Sequence, residues 1–291
     1  MEIRVLKYFL TVAREQSITK AAEALHVTQP TLSRQIAQME DELGVTLFER
    51  GSRRIALTSE GLLLRRRAEE ILQLVDKTEK ELFEQDGQIE GKITIGCGEI
   101  ASVQLLPKLF ESFREKHPLV MFDLYTATAD IVTEQMDKGL VDIGLLLEPI
   151  DIEKYDFIRL DVKERWGVVM RPDSPLAKKK SVTAKDLSAL PLIMPRRLKV
   201  QSELASWFGD LYNDLNVMFT SNLNTNAAVM VCQGSVYSLV IEGMTPFWDQ
   251  SKITYRPLAP ALTATSVLAW KRGLPFSPAA EKFIAHIKNA F

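Results

Sequence analysis
Residues 17–42 constrain this chain more than any other stretch. Ser17-Ile18-Thr19-Lys20-Ala21-Ala22-Glu23-Ala24-Leu25 has the make-up of a short helix. Ser17 stands where its hydroxyl can accept one of the unpaired first-turn N–H groups. His26-Val27 makes a tight break. Thr28-Gln29-Pro30-Thr31-Leu32-Ser33-Arg34-Gln35-Ile36-Ala37-Gln38-Met39-Glu40 then reads as a second helix. Thr28 caps it, and Pro30 falls in the first turn, where a missing N–H costs nothing. Two helices this short, joined by so few residues, form the unit that offers one helix to a DNA groove. Ala21, Ala22 and Leu25 are the inner positions of the first helix. Leu32, Ile36, Met39 and Leu43 are the inner stripe of the second. What stays outward at the start of that helix is Gln29, Thr31, Ser33 and Arg34. Gln can bridge adenine, Arg can bridge guanine, and a Thr methyl can touch a thymine methyl. The bland alternative is a solvated polar end on a core-forming helix pair. The order of caps, alanines, break and proline weighs against it.

The run Ser17-Ile18-Thr19-x-Ala21-Ala22-x-x-Leu25-x-Val27-Thr28-Gln29-Pro30-Thr31-Leu32-Ser33-x-Gln35-Ile36, followed by Leu43-Gly44-x-x-Leu47-Phe48-x-Arg50, resembles the N-terminal signature of the LysR-type transcriptional regulators. The motif is long and specific, and the remaining pattern is compatible with that family over the whole chain. The resemblance implies an N-terminal all-α winged helix-turn-helix domain with a linker helix. It also implies a C-terminal α/β two-lobed, periplasmic-binding-protein-like effector domain. Implied partners are double-stranded promoter DNA, a small-molecule metabolite effector and further copies of the chain. Linker helices in the family pair antiparallel, and dimers usually associate into tetramers. RNA polymerase is a further candidate partner, since such proteins activate or repress promoters.

Composition narrows the class. The chain has 291 residues, enough for two domains with real cores. A hydrophobic fraction of 46% with 25% charged residues argues against disorder. No apolar run approaches the length that spans a bilayer. Met1-Glu2-Ile3-Arg4 leads into an amphipathic helix rather than an export signal. Cys97 and Cys232 make no disulfide framework, so a reducing cytoplasm is the expected compartment. The net charge of −2 conceals an asymmetry. Residues 1–67 hold 11 Lys or Arg against 8 Asp or Glu, whereas residues 68–90 hold 2 Lys against 8 acids. The basic surplus lies on the part proposed to meet phosphate, but it is modest.

Residues 2–15 read as a helix whose Val5, Leu6, Phe9, Leu10 and Val12 pack behind the two helices. Leu47-Phe48-Glu49-Arg50 enters a hairpin, Gly51-Ser52 turns it, and Arg53-Arg54-Ile55-Ala56-Leu57 returns. Arg50, Arg53 and Arg54 cluster there, as a wing that lies on the phosphate backbone or enters the minor groove. The alternative is a solvated basic turn. Thr58 caps the next helix, from about Ser59 to about Phe83. In it Leu64, Ala68, Ile71, Val75, Thr78 and Leu82 are spaced 4, 3, 4, 3 and 4 residues apart, a heptad seam. The seam packs on its own domain or, more in keeping with selective reading, pairs two chains. Asp86-Gly87-Gln88 ends the helix. The expected division is residues 1–58 for reading DNA, 59–89 for the linker and 90–291 for the effector domain.

From Lys92 onward strands and helices alternate, which predicts a mostly parallel sheet with helices on both faces. Strands are expected at 93–96, 120–125 and 141–147, then at 166–170, 192–194, 236–241 and 266–270. Helices are expected at 105–116, 131–138, 202–212, 226–233 and 279–290. A second αβ unit begins near Asp161, so one lobe takes about 90–161 and 266–291, and the other about 162–265. Two lobes joined by two crossings leave a cleft at the strand ends, where ligands bind.

Candidate cleft residues follow the strands. Gly96-Cys97-Gly98-Glu99-Ile100-Ala101-Ser102 opens a helix, so its N–H groups and Ser102 suit an anion. Thr126 and Thr128 follow the next strand, and Ile100 belongs to the loop that follows the first. Pro195-Arg196-Arg197, Gln201 and Ser202 follow a strand of the second lobe, and Arg196 can clamp a carboxylate. Asn224-Thr225-Asn226 caps a helix opposite, with Asn226 at its start, and Glu242 follows a strand. Glu99 is the misfit: a carboxylate at the mouth favours an effector with a cationic or donor group as well as an anionic one. For each residue the alternative is a helix cap or a solvated loop. Cys97 near the pocket makes a redox sensor or a plain solute-binding protein the competing reading. An enzyme is not expected. The three His sit in no metal-ligand spacing, and no phosphate-cradling or nucleophile-elbow motif is present. No cofactor is expected either.

Overall fold
The computed structural model describes residues 1–50, 55–83 and 89–291. The chain divides into two compact units, Met1–Phe83 and Glu84–Phe291.

The first unit begins with α1 (Ile3–Glu15), α2 (Ile18–Ala24) and α3 (Gln29–Leu43). Val5, Leu6, Phe9 and Val12 of α1 are buried against Ala21, Ala22, Leu32, Ile36 and Met39. The alanines keep α2 thin where the helices meet. His26 takes φ +55°, a left-handed conformation that histidine tolerates better than most residues. Its N–H donates to Glu23 O at 3.1 Å and that of Val27 to Ala22 O at 3.0 Å, which closes the break between α2 and α3. Gly44, at φ +68°, ends α3 in the left-handed region. Leu43, expected inside, is 41% exposed, so the inner stripe stops at Met39. Glu40 instead serves the next element: its carboxylate accepts from Leu47 N at 2.6 Å and Phe48 N at 3.2 Å.

β1 (Phe48–Arg50) and β2 (Ile55–Leu57) pair antiparallel with Phe48 opposite Leu57. The Phe48 ring lies 5.2 Å from that of Phe9. The expected turn residues Gly51 and Ser52, with Arg53 and Arg54, lie outside the described residues. Thr58 Oγ1 accepts from Gly61 N at 3.0 Å and starts α4 (Ser59–Phe83). The single seam expected on α4 divides. Leu64 and Ala68 pack on the unit's own core, joined by Leu72 rather than Ile71. Ile71 is exposed, as are Leu62, Leu63 and Leu74. A straight helix drifts from a strict heptad, and here the nearby core claims the first half of the stripe. Leu82 and residues 84–88, including the expected helix end, are outside the description of side chains.

The second unit has two lobes. The first contains β3 (Gly91–Cys97), α5 (Leu106–Arg114), β4 (Val120–Thr126), α6 (Ala129–Asp137), β5 (Ile143–Leu147) and β6 (Tyr155–Arg159). The chain then crosses into β7 (Glu164–Met170), α7 (Ala184–Leu187), β8 (Leu192–Pro195), α8 (Leu198–Phe208), β9 (Val217–Ser221), α9 (Asn224–Gln233), β10 (Tyr237–Ile241), β11 (Thr254–Pro257) and β12 (Thr263–Ala264). It returns through β13 (Ser266–Lys271) and α10 (Pro278–Ala290). The first sheet has the order β4-β3-β5-β13-β6 and the second β11-β7-β10-β8-β9, with β12 beside β7. Both are mixed rather than mostly parallel. β3 runs parallel to β4 and β5, and β8 parallel to β9 and β10. The strands at the crossings, β7 and β13, run antiparallel to all their partners. β6, β9 and β11 escaped the sequence reading. All three are sheet edges with little full burial, so they lack the continuous apolar run of β5 or β7.

The two crossings lie side by side. Leu160 N donates to Ser266 O, and Trp166 N to Leu262 O, both at 2.9 Å. Above them a short 3₁₀ turn (Glu242–Phe247) presses on the first lobe. A Cβ on Gly243 would sit 2.1 Å from Ala101 N and 2.4 Å from Ile100 C, so only glycine fits. Gly243→Ala should therefore destabilise the second unit by about 2 kcal/mol or more, a drop of about 4–8 °C for a unit of this size. Scanning calorimetry reads this; an unchanged melting temperature would mean that the lobes part there freely.

Candidate functional site
The N-terminus of α3 is built by caps. Ser17 Oγ accepts from Lys20 N at 3.4 Å, and Thr28 Oγ1 accepts from Thr31 N at 3.4 Å. The hydroxyls of Thr28 and Thr31 lie 2.8 Å apart. Gln29, Pro30, Thr31 and Arg34 are exposed and Ser33 is half-buried, while Leu32 and Ile36 on the opposite side are buried. Among the described residues no carboxylate pairs with the Arg34 guanidinium. The helix thus turns its positive end outward, with the exposed side chains of Gln29 and Arg34 beside the bonded hydroxyls of Thr28 and Thr31. Arg50 ends β1 opposite Ile55, its side chain outside the description. Arg53 and Arg54 also lie outside the described residues.

The second candidate is the cleft between the lobes, which encloses about 690 Å³ of empty space, counting the part open to solvent. Two polar clasps cross it. Arg197, 8% exposed, starts α8 in the second lobe and reaches into the first. Its Nε donates to Asp130 Oδ1 at 2.9 Å and its Nη1 to Leu147 O at 2.8 Å, while Nη2 donates to Pro149 O. Glu99 crosses the other way. Its carboxylate accepts from Thr225 N at 3.2 Å, and also from Asn224 N and the Thr225 hydroxyl, at the start of α9.

Of the residues expected to line the cleft, Glu99, Ile100, Thr128 and Arg196 do so. Thr128 caps α6 with no bond from its side chain, which leaves its hydroxyl available. Arg196 is exposed, and its guanidinium has no carboxylate partner among the described residues. Five expectations need correction. Ser102 is fully buried at the crossing: its hydroxyl donates to Glu164 and also bonds Ser266. Glu164 also accepts from Ala101 N at 2.8 Å and Ser102 N at 3.0 Å, so the N–H groups expected to take an anion already hold a carboxylate. Gln201 turns back to Pro195 O at 2.7 Å, and Ser202 bonds Leu198 O within its own helix at 3.1 Å. Asn226 is exposed outside the cleft, because α9 starts two residues earlier and puts Asn224 there instead. Glu242 opens the 3₁₀ turn and is not in the lining.

Glu99 lines the cleft, but its meaning needs correction. Its charge is satisfied by α9, so it demands no cationic group of a ligand. Cys97 is 3% exposed and absent from the lining, and burial pushes its thiol up from its ordinary value. A redox cysteine needs the reverse, a lowered value and access. The sequence places Arg197 and Asn224 beside the cleft but singles out Arg196 and Asn226 instead, and it misses Trp166. An Arg-Arg pair does not say which member turns inward, and Trp166 reads as an ordinary core strand residue.

Residues 3–62 match the family model of the bacterial regulatory helix-turn-helix protein, lysR family, and residues 86–291 match that of the LysR substrate binding domain. The chain belongs to the LysR family of transcriptional regulators. It is 30% identical over 299 residues to the Hca operon transcriptional activator HcaR of Escherichia coli K12, covering 99% of this chain and 98% of that protein. It is 32% identical over 294 residues to the uncharacterized HTH-type transcriptional regulator YvbU of Bacillus subtilis 168, covering 100% and 99%. The structure of full-length CbnR with its target DNA superposes with a TM-score of 0.76 at 23% identity, over the whole of both chains, a likeness of fold. The regulator therefore couples a DNA-binding helix-turn-helix to a substrate-binding effector domain. Among the described residues no helix is long and apolar enough to cross a membrane.

Two outcomes check this geometry. Arg197→Met strands two carbonyls and Asp130, and should cost about 2–3 kcal/mol of stability in urea denaturation. Cys97 should resist iodoacetamide in the native protein and react only on unfolding, with peptide mapping as the readout. Rapid native alkylation would revive the redox reading.

Proposed function
We propose that α3 enters a major groove of promoter DNA with Gln29, Thr31, Ser33 and Arg34 meeting base edges, while Ser17, Thr28 and Pro30 shape the helix ends that approach phosphate. Arg50, Arg53 and Arg54 of the hairpin contact the backbone or the minor groove. The observation that carries this is the exposed first turn of α3, with Gln29 and Arg34 outward, on a helix that buries Leu32, Ile36 and Met39.

A small-molecule effector binds between the lobes of the second unit and changes their relation. Glu99, Ile100, Thr128 and Arg196 contribute to that site, with Arg197 and Trp166. For the effector to alter transcription, it must favour one arrangement of lobes over another, and that arrangement must suit one DNA geometry.

The regulator acts as a dimer, with tetramers as dimers of dimers. Two sets of exposed apolar residues support self-association. Leu62, Leu63 and Leu74 project from α4, and Met121, Leu124, Val217 and Met218 lie on the edge strands β4 and β9. Exposed apolar groups collected at sheet edges mark surfaces that a partner covers. Such a protein works in the cytoplasm, where promoters are, and RNA polymerase is a further partner there.

Footprinting on the promoter nearest its own gene tests the reading. Arg34→Ala should abolish preference for the footprinted site over random duplex while leaving nonspecific affinity. Arg53→Ala should weaken all duplexes about equally and lower the salt slope by about 1. Equal loss of preference in both variants would refute the division of roles.

A further inference from the structure
Resting on the reading of the cleft as the effector site, we propose that the effector is a compact, largely apolar molecule with an oxygen acceptor, and that Trp166 selects it by donating its indole N–H to that oxygen. Trp166 stands in β7 at the crossing between lobes, lines the cleft and is 4% exposed. Its main chain is satisfied: the N–H donates to Leu262 O at 2.9 Å and the carbonyl accepts from Leu258 N at 3.2 Å. Its indole Nε1 is not. Among the described residues it is the one buried side-chain nitrogen or oxygen without a hydrogen-bond partner. Buried polar groups almost always have partners, and each exception calls for an explanation. This exception belongs to a residue that lines the cleft between the lobes, so the absent partner is supplied by what fills that cleft. An indole N–H only donates, so the matching atom is an acceptor.

The rest of the wall sets the body of the molecule. Ile100, Leu147, Ile193, Val200, Leu239 and Ile241 present apolar side chains from both lobes. A sugar or polyol would lose more hydrogen bonds to water on entering than the wall returns. The charges exclude a cation. Glu99 is held by the start of α9, and no second carboxylate lines the cleft. Arg197 is committed to Asp130 and two carbonyls. Arg196, exposed and without a carboxylate partner among the described residues, is the remaining charge and tolerates an anion.

The test uses the full-length protein labelled with 5-fluorotryptophan and read by fluorine NMR. Trp207, Trp248 and Trp270 serve as internal references, and Trp166→Phe assigns the signal. If that variant folds poorly, single variants of the other three assign it by elimination. The probes are cyclohexanecarboxylate, cyclohexanecarboxamide and cyclohexylmethylamine, matched in shape and raised to 10 mM. The expected result is a shift of the Trp166 signal and a raised melting temperature with the carboxylate or the carboxamide, and neither with the amine. Trp166→Phe should lose at least tenfold in affinity for the active probe. Activity of the carboxylate alone identifies an anionic acceptor, and activity of both identifies a carbonyl. The proposal is overturned if the amine alone binds, or if no probe moves the Trp166 signal. It is also overturned if a probe binds Trp166→Phe as well as the parent, a result that leaves the cleft reading intact. Failure of the unlabelled, unliganded protein to protect any promoter would instead strike the wider reading.

Discussion
A helix begins with N–H groups that nothing inside the helix can accept, and where those groups find acceptors decides much of this molecule. Thr28, Thr58 and Ser277 supply acceptors from the residue just ahead of α3, α4 and α10. Elsewhere the acceptor comes from the other lobe. Glu99 of the first lobe closes the start of α9 in the second, and Glu164 of the second closes the turn at Ala101 in the first. Each carboxylate therefore does for a distant element what a threonine does for its neighbour. The consequence is mechanical: neither helix start is satisfied unless the lobes stand as they do.

Arg197 completes the set from the opposite charge. Its guanidinium satisfies two carbonyls at and just beyond the end of β5 and the carboxylate of Asp130 in α6. The lobes are thus held by three polar clasps around a cleft whose walls are mainly apolar. Such an arrangement suits signalling, because a ligand that fills the cleft acts on the same spacing that the clasps define. Gly243 removes the remaining freedom where backbone meets backbone.

The first unit follows the same chemistry with a different outcome. Its caps are local, its core is closed by Phe9, Phe48 and the thin alanines of α2, and the start of α3 is left facing outward. The basic surplus of residues 1–67 is modest, at three. The exposed apolar residues of α4 and of the two edge strands are the counterpart: surface left uncovered by a single chain.

The motif from Ser17 to Arg50 was legible because its physics is local. Caps, a proline in the first turn and apolar residues three or four apart each constrain only their own few neighbours. The same is true of the buried strands β5 and β7, whose continuous apolar runs declare them. The edges β6, β9 and β11 were not legible, because a half-buried strand depends on which strand lies beside it. The cleft was legible only as a place. Ile100, Thr128 and Arg196 could be expected there from their position after strands, but Ser102 could not be told from a ligand-binding serine. Its role comes from Glu164 and Ser266, far away in the chain. By itself the sequence determined the helix pair, the alternation of strands and helices and the family. Tertiary structure alone decided which arginine of 196 and 197 turns inward, which carboxylate closes which helix, and that the Trp166 indole is left waiting for a partner. Those outcomes depend on contacts between residues tens to more than a hundred positions apart, and no local pattern encodes them.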